Sequence, residues 1–189
     1  DRIRGGDNLH SVIWLYNRTG EKWLLELAEK VYRRTAPWTS RGHDLNDIKN
    51  PKDKREGVEF PDWFTDLIDW HNVNIAQGFR TPAQYYLLNG DEKYLNATYE
   101  NFNIVRDNFG QVPGGMFGGD ENARPGYDDP RQGIELCGVV EQMNSDEHLL
   151  RITGDIFWAD HLEEIAFNSY PATVSPDFKA VRYITSPNM

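Results

Sequence analysis

Three segments of the chain share one pattern, in which an apolar helix end leads into a glycine, an acidic residue and then an aromatic residue. They are residues 15–24, 86–95 and 150–159. A glycine readily takes the left-handed conformation that ends a helix, and an acidic side chain suits the positive N-terminus of the next helix. The pattern therefore predicts three helix–turn–helix hairpins with turns at Gly20, Gly90 and Gly154.

Apolar residues at helical spacing follow each turn, and the aromatic residues Trp23, Tyr94 and Trp158 are predicted to begin the next buried helix face. The turn glycines are 70 and 64 residues apart, too far for a compact solenoid. We therefore predict an all-α fold of the α/α-toroid type, an (α/α)₆ barrel of which residues 1–189 supply about half as one partial domain. An open array of three hairpins is the alternative.

Two long irregular stretches separate the hairpins. Residues 35–61 are rich in proline and charge, and residues 110–133 are rich in glycine and proline. Loops of this length inside a compact domain are usually functional or disordered. Near the end of the chain, Val181, Tyr183 and Ile184 indicate a short strand.

Composition and charge exclude several classes of protein. Hydrophobic residues make up 39% of the sequence, which argues against wholesale disorder. The net charge of −10 argues against a nucleic-acid partner. The sequence contains no run of 18 apolar residues, so it predicts no membrane-spanning helix. One cysteine excludes an intrachain disulfide framework. The chain begins with Asp1, so we expect processed or missing N-terminal sequence, and the localisation stays open between cytoplasm, periplasm and secretion.

The second loop carries four carboxylates, Asp120, Glu121, Asp128 and Asp129, next to several glycines. Crowded carboxylates raise one another's pKa, and a carboxyl with a raised pKa can serve as a general acid. A solvated acidic loop and a Ca²⁺-binding loop are the other interpretations of this pattern.

Glu135 and Cys137 lie two residues apart at the predicted entrance of a helix. A carboxylate and a thiolate at this spacing can both reach one Zn²⁺, although zinc takes three or four protein ligands. Taken by itself, Cys137 is expected to be a small buried apolar residue, as free cysteines often are.

A polar stripe runs along the helix predicted near residue 71. His71 and Asn74 lie one turn apart, and Gln77 and Arg80 continue the series. Hydrogen-bonding side chains on an otherwise apolar helix suit a site for sugar hydroxyls. A solvated helix face and a hydrogen-bonded core histidine are the alternatives.

Together these segments resemble the catalytic domain of glycoside hydrolase family 127, the β-L-arabinofuranosidase-type family. The resemblance covers nearly the whole chain. It is carried by the hairpin repeat, by Trp70-His71-Asn72-Val73, by Gly119-Asp120-Glu121, by Glu135-Leu136-Cys137 and by the segment from Leu150 to Asn168. The family usually has threonine where this sequence has Leu136.

The resemblance implies an (α/α)₆ barrel followed by a β-sandwich, and a retaining mechanism with a zinc-bound cysteine nucleophile. It implies that Glu121 is the acid/base, that Glu135 and Cys137 are zinc ligands and that His71 binds sugar. Because the spacing from Glu121 to Glu135 is shorter than usual in the family, Asp120 is the alternative acid/base.

The family holds zinc with two further adjacent cysteines, and this sequence has none after Cys137. We therefore expect the nucleophile and half of the zinc ligands to lie outside these residues. The 189 residues alone are expected neither to hold catalytic zinc tightly nor to turn over substrate.

The leading functional hypothesis is a retaining glycosidase that acts on oligo- or polysaccharides with β-L-arabinofuranosides or related pentosides. His71 and Asn74 are its predicted substrate-binding residues. One alternative is a metal-independent glycosidase with a carboxylate pair, such as an unsaturated-uronide hydrolase. Another is a helical carbohydrate-binding or scaffold protein without catalytic activity.

Overall fold

The computed structural model describes residues 4–40, 71–123 and 132–186. About two thirds of these residues are helical, which confirms the all-α prediction. The α-helices are α1 (Asn8–Thr19), α2 (Trp23–Arg34), α3 (Asn72–Gly78), α4 (Arg80–Asn89), α5 (Glu92–Phe109), α6 (Leu136–Thr153), α7 (Ile156–Glu164) and α8 (Tyr170–Ala172). A short 3₁₀ helix (Gly5–Asp7) precedes α1, and a π-helical turn (Ile165–Ser169) joins α7 to α8.

Three helical hairpins form the body of the described structure: α1 with α2, α4 with α5, and α6 with α7. The first helices of the hairpins lie side by side, since α4 contacts both α1 and α6. The short helix α3 packs along α6. None of the helices in the described part of the chain is long and apolar enough to cross a membrane.

The three predicted hairpin turns are present and share one geometry. Gly20, Gly90 and Gly154 have φ angles of 71°, 69° and 69°, all in the left-handed region. In each turn, the residue before the glycine accepts a hydrogen bond from the N–H of the acidic residue after it. The N···O distances are 3.3 Å for Thr19–Glu21, 2.9 Å for Asn89–Asp91 and 3.0 Å for Thr153–Asp155.

The prediction for Trp23 is wrong, because its side chain is 55% exposed. Trp158 lies four residues after its turn glycine and is fully buried, whereas Trp23 lies three residues after Gly20. The residue four places after Gly20 is Leu24, and it is only 1% exposed. The inward position is therefore set by the distance from the turn and not by aromatic character.

The main core lies where α3, α5, α6 and α7 meet the loop 112–123. Phe79 contacts Phe102 and Phe117 edge-on or tilted, and Phe102 also contacts Trp158. A smaller cluster centred on Leu9 joins the first hairpin to α4.

The buried His161 fixes the loop that leads to the acidic segment. Its Nε2 lies 2.9 Å from the carbonyl of Gly115, so this nitrogen carries the proton and donates it. Its Nδ1 lies 2.8 Å from Asp146 Oδ2, and burial raises the pKa of Asp146. The sequence offered no reason to distinguish His161 from an ordinary helix residue.

A short antiparallel pair of strands closes the end of the structure, with β1 (Ile134–Glu135) beside β2 (Ile184–Thr185). Ile134 pairs with Thr185, and Glu135 pairs with Ile184. The strand predicted near the end of the chain is therefore present, and it lies against the entrance of α6.

Candidate active site

Backbone hydrogen bonds bring three distant segments of the chain together at one place. The N–H of Asn72 donates to the carbonyl of Glu121 over 3.0 Å. The carbonyl of Gly119 accepts from the N–H of Glu135 at 2.9 Å, and the N–H of Gly119 donates to Gly133 at 2.8 Å. The start of α3, the acidic loop and the entrance of α6 therefore share one network, and their side chains converge.

His71 lies between two of the predicted carboxylates. Its Nε2 is 2.8 Å from Oε2 of Glu121, and its Nδ1 is 3.3 Å from Oε2 of Glu135. One potential ligand atom from each of these three side chains lies within 4.8 Å of the others. The sequence indicates each of the three residues as a candidate separately, and the structure gathers them into one cluster.

The two carboxylates differ in their access to solvent. The Glu121 side chain is 35% exposed and can meet a substrate, whereas the Glu135 side chain is only 1% exposed. Burial raises the pKa of Glu135. The hydrogen bond from Tyr183 and the nearby His71 lower this pKa, but burial is the larger effect. Oε2 of Glu135 and Nδ1 of His71 face each other without an aligned hydrogen bond. Within the described ranges, this buried carboxylate oxygen is thus left without a hydrogen-bond donor.

Cys137 lies beside this cluster on the first turn of α6 and is exposed. The expectation that it is a buried apolar residue is therefore wrong. Partial burial of the thiol raises the pKa of Cys137, as does its hydrogen bond with Glu135. The thiol therefore adjoins the Glu135 carboxyl, while the three side chains whose ligand atoms lie within 4.8 Å of one another are those of His71, Glu121 and Glu135.

Tyr183 is a member of the site that the sequence analysis placed only in a strand. Its hydroxyl donates to Oε1 of Glu135 over 2.6 Å, and its carbonyl accepts from the N–H of Leu136 at 2.8 Å. The hydrogen bond to Glu135 raises the pKa of Tyr183. The only signal in the sequence is a tyrosine in a short strand, and nothing there predicts that the strand crosses the entrance of α6.

The polar stripe that begins at His71 runs into the interior. Asn74 is buried, and its Oδ1 accepts from Nε of Arg4 at 2.8 Å. Arg80 is buried and donates to Glu141 and Ser145 of α6 at 3.0 Å each. The interpretation of this stripe as a solvated helix face is therefore wrong. Asn74 lies one turn along α3 from the cluster, and its contact with sugar remains a prediction.

Asp120 serves the backbone of its own loop. Its Oδ1 accepts from the N–H groups of Glu121 and Asn122 at 2.6 and 3.3 Å. The neighbouring Asn122 and Ala123 are buried, so this part of the loop is not simply a solvated acidic segment. The other two carboxylates of the predicted loop, Asp128 and Asp129, lie outside the described residues, as does Trp70.

Comparison with known proteins gives one family. The family model described as beta-L-arabinofuranosidase, GH127 catalytic domain, matches residues 3–189. A search among curated proteins found no significant match.

Proposed function

We propose that this chain, which belongs to the GH127 β-L-arabinofuranosidase catalytic-domain family, hydrolyses β-L-arabinofuranosides or related plant pentosides with retention of configuration. Membership of the family makes it a glycoside hydrolase domain of the (α/α)₆-barrel type. The substrate class, the linkage and the roles of individual residues are our proposal. A saccharide partner follows from the glycosidase family.

The observation that carries the proposal is the cluster of His71, Glu121 and Glu135 at the start of α6. It places one solvent-accessible carboxylate and one buried carboxylate on either side of an imidazole. Two carboxylates in different environments suit different tasks, because burial and neighbouring charges set their protonation states. The accessible Glu121 is the proposed acid/base, and the buried Glu135 is the proposed metal ligand.

The residues at the entrance of α6 fit a zinc ion. Among the described residues, Oε2 of Glu135 is buried without a hydrogen-bond partner, and the thiol of Cys137 hydrogen-bonds to the same carboxyl group. Burial is the largest cause of the raised pKa of both groups, so both anions are costly at this place, and a divalent cation would offset that cost. Glu135 and Cys137 are therefore the proposed zinc ligands. When bound, zinc keeps coordinated thiols deprotonated at neutral pH.

In the proposed reaction, Glu121 donates a proton to the glycosidic oxygen as the bond to the anomeric carbon breaks. In the same step the thiolate nucleophile from outside these residues forms a bond to the anomeric carbon. In the second step water displaces that thiolate from the anomeric carbon, and the Glu121 carboxylate takes a proton from the water. The hydrogen-bond contact with His71 at 2.8 Å holds the carboxyl in one orientation for both transfers. His71 is also the proposed contact for a sugar hydroxyl, and Asn74 is the second.

Asp120 is less suited to the acid/base role. Its Oδ1 accepts two backbone hydrogen bonds, which fix the carboxyl at the turn of its own loop. A carboxylate that closes its own turn is less free to follow a substrate than Glu121.

The chain has a single cysteine, so the thiolate nucleophile and the other zinc ligands of the proposed mechanism come from outside the 189 residues. We propose that residues 1–189 supply the acid/base and part of the zinc site within a larger barrel domain. The proposal includes the expectation that these residues alone are inactive.

The test is the release of nitrophenol from p-nitrophenyl β-L-arabinofuranoside by the complete protein, with and without a zinc chelator. The proposal predicts release that the chelator abolishes and that added zinc restores. Release that continues unchanged in chelator contradicts the zinc role. No release from this or related pentosides contradicts the proposed substrate class.

One observation favours a second candidate, a metal-independent glycosidase with a carboxylate pair. Carboxylate oxygens of Glu121 and Glu135 lie within 4.8 Å of each other. Retaining enzymes of that kind hold their two carboxyl groups about 5–5.5 Å apart. The burial of Glu135 weighs against a nucleophilic role, and hydrolysis insensitive to chelator would favour this candidate instead.

A further inference from the structure

Asn72 occupies the point where the three segments of the candidate site meet. Its side chain is fully buried between Gly119 of the acidic loop and Gly138 of α6. A Cβ atom on Gly138 would lie 1.3 Å from Oδ1 of Asn72, and one on Gly119 would lie 2.7 Å from its Nδ2. Each glycine therefore leaves space that the amide of Asn72 fills.

The amide of Asn72 packs closely against both glycines. Neither Oδ1 nor Nδ2 of Asn72 has a hydrogen-bond partner among the described residues. A buried amide without partners lowers stability relative to an apolar group of the same shape. The stability of the fold therefore does not explain why an asparagine stands at this position. Its location between two segments of the candidate site offers an explanation.

The neighbours of this contact are the candidate site residues. His71 precedes Asn72, the carbonyl of Glu121 accepts from the N–H of Asn72, and Glu135 and Cys137 precede Gly138. A shift of Gly119 relative to Asn72 therefore moves Glu121 relative to His71. A shift of Gly138 likewise moves Glu135 and Cys137.

We propose that Asn72 is a positioning residue, which sets the spacing between His71 and the Glu135–Cys137 pair through its contact with Gly138. The assignment deepens the proposed function and rests on it for the roles of those residues. Asn72 has no exposed surface, so it acts on the site through its neighbours and does not touch substrate.

The first experiment compares Asn72→Ala with Asn101→Ala in the complete protein. Asn101 is another buried asparagine, and its amide donates to the carbonyl of Trp38, whose ring lies against Gly78 at the end of α3 opposite to His71. In Asn72→Ala we expect the zinc affinity and kcat to fall about 10- to 100-fold, as when residues behind metal ligands are replaced. Asn101→Ala is expected to lower the melting temperature while it leaves the zinc affinity within about twofold of the wild type.

The second readout needs neither zinc nor turnover. It is the rate at which iodoacetamide alkylates Cys137 in chelator-treated protein, measured by mass spectrometry of the peptide that contains this residue. Asn72→Ala is expected to raise the rate at least about threefold, because the first turn of α6 loses the packing that holds it. Asn101→Ala is expected to leave the rate unchanged.

A double substitution tests the contact itself. All three atoms closest to a Cβ on Gly138 belong to the Asn72 amide group, and Asn72→Ala removes them. Gly138→Ala alone is therefore expected to damage zinc binding more than Asn72→Ala does. The double variant Asn72→Ala/Gly138→Ala is expected to bind zinc better than Gly138→Ala alone, although Asn72→Ala by itself weakens binding.

Two results would overturn the assignment. One is an Asn72→Ala protein that melts at a lower temperature but keeps the wild-type zinc affinity and Cys137 alkylation rate. The other is a double variant no better than Gly138→Ala. An inactive wild-type protein would contradict the proposed function, while the alkylation rates would still decide the role of Asn72.

Discussion

The hairpin turns and the candidate active site are built in opposite ways. Each turn is specified within a few residues: a glycine at a positive φ, a side chain before it that accepts from the residue after it, and an acidic residue that begins the next helix. The candidate site joins His71, Glu121 and Glu135, which are up to 64 positions apart in the sequence. The turns follow from local chemistry, and the site depends on packing between distant segments.

This difference predicts how substitutions in the two regions affect stability and activity. A substitution in a turn changes the stability of one helix end and leaves the chemistry intact. A substitution in the candidate site is expected to remove function with little effect on stability, because its buried groups lack full sets of hydrogen bonds among the described residues. The following experiments test that separation, beginning with the largest expected effect.

Glu121→Gln is expected to lower kcat on a natural arabinofuranoside disaccharide about 10²- to 10⁴-fold, the usual contribution of a positioned acid/base. The loss should be smaller for p-nitrophenyl substrates, because nitrophenol leaves without full protonation. The matched control is Asp120→Asn, which keeps the shape of the turn and should cost less than about tenfold. Equal turnover of the disaccharide by wild type and Glu121→Gln would remove Glu121 from the mechanism.

Trp158→Ala and Trp23→Ala compare two aromatic residues in equivalent hairpins. Trp158 is fully buried against Tyr99 and Phe102, so its removal should destabilise the fold by about 3–5 kcal/mol. Trp23 is more than half exposed, and its removal should cost less than about 1 kcal/mol. Urea unfolding of both variants measures the two losses of stability. Equal losses would contradict the rule that the residue four places after the turn glycine is the one that points into the core.

Gly154→Ala tests the local character of a turn. Nothing lies within 4 Å of a Cβ at this position, so the expected cost comes only from the left-handed backbone and is about 1–2 kcal/mol. Turnover should stay at the wild-type level under conditions where the variant is folded. A loss of turnover without a loss of stability would show that turn and site are coupled.

The smallest expected effect is a pH dependence of stability from His148. Burial, with the nearby charges of Arg80 and His10, lowers the pKa of His148 to about 4. The folded protein therefore binds fewer protons at this residue than the unfolded chain between pH 6.5 and pH 4. Stability should be fully present above pH 6.5 and should fall as the pH drops toward 4.

His148→Gln should flatten this part of the stability profile. Because the side chain is only partly buried, we expect a difference of about 1 kcal/mol between the two proteins across that window. Urea unfolding at several pH values measures it, and parallel profiles for wild type and variant would contradict the assignment.

The sequence alone predicted what depends on short-range pattern. The turn glycines, the helices that they end and the all-α class follow from spacing and backbone preference, as does the closeness of Glu135 and Cys137. Trp23 was predicted wrongly because the aromatic residue was weighted above its distance from the turn. Leu24 takes the inward place there.

The rest of the site depends on contacts that no local pattern encodes. Tyr183 reaches Glu135, 48 positions earlier in the sequence, because β2 pairs with β1. Cys137 is exposed because α6 begins at the edge of the core, whereas its residue type favours burial. In the sequence, Asn72 is only part of the segment Trp70-His71-Asn72-Val73, and the two glycines that face it in space reveal its position.

The most direct test is zinc K-edge X-ray absorption on the complete protein and on its Cys137→Ser and Glu135→Ala variants. The account predicts a zinc ion with sulfur ligands at about 2.3 Å and an oxygen ligand at about 2.0–2.2 Å. It predicts one sulfur fewer, or loss of the metal, in Cys137→Ser, and loss of the oxygen ligand or of the metal in Glu135→Ala. An active protein that purifies without zinc, or an unchanged spectrum in both variants, would contradict it.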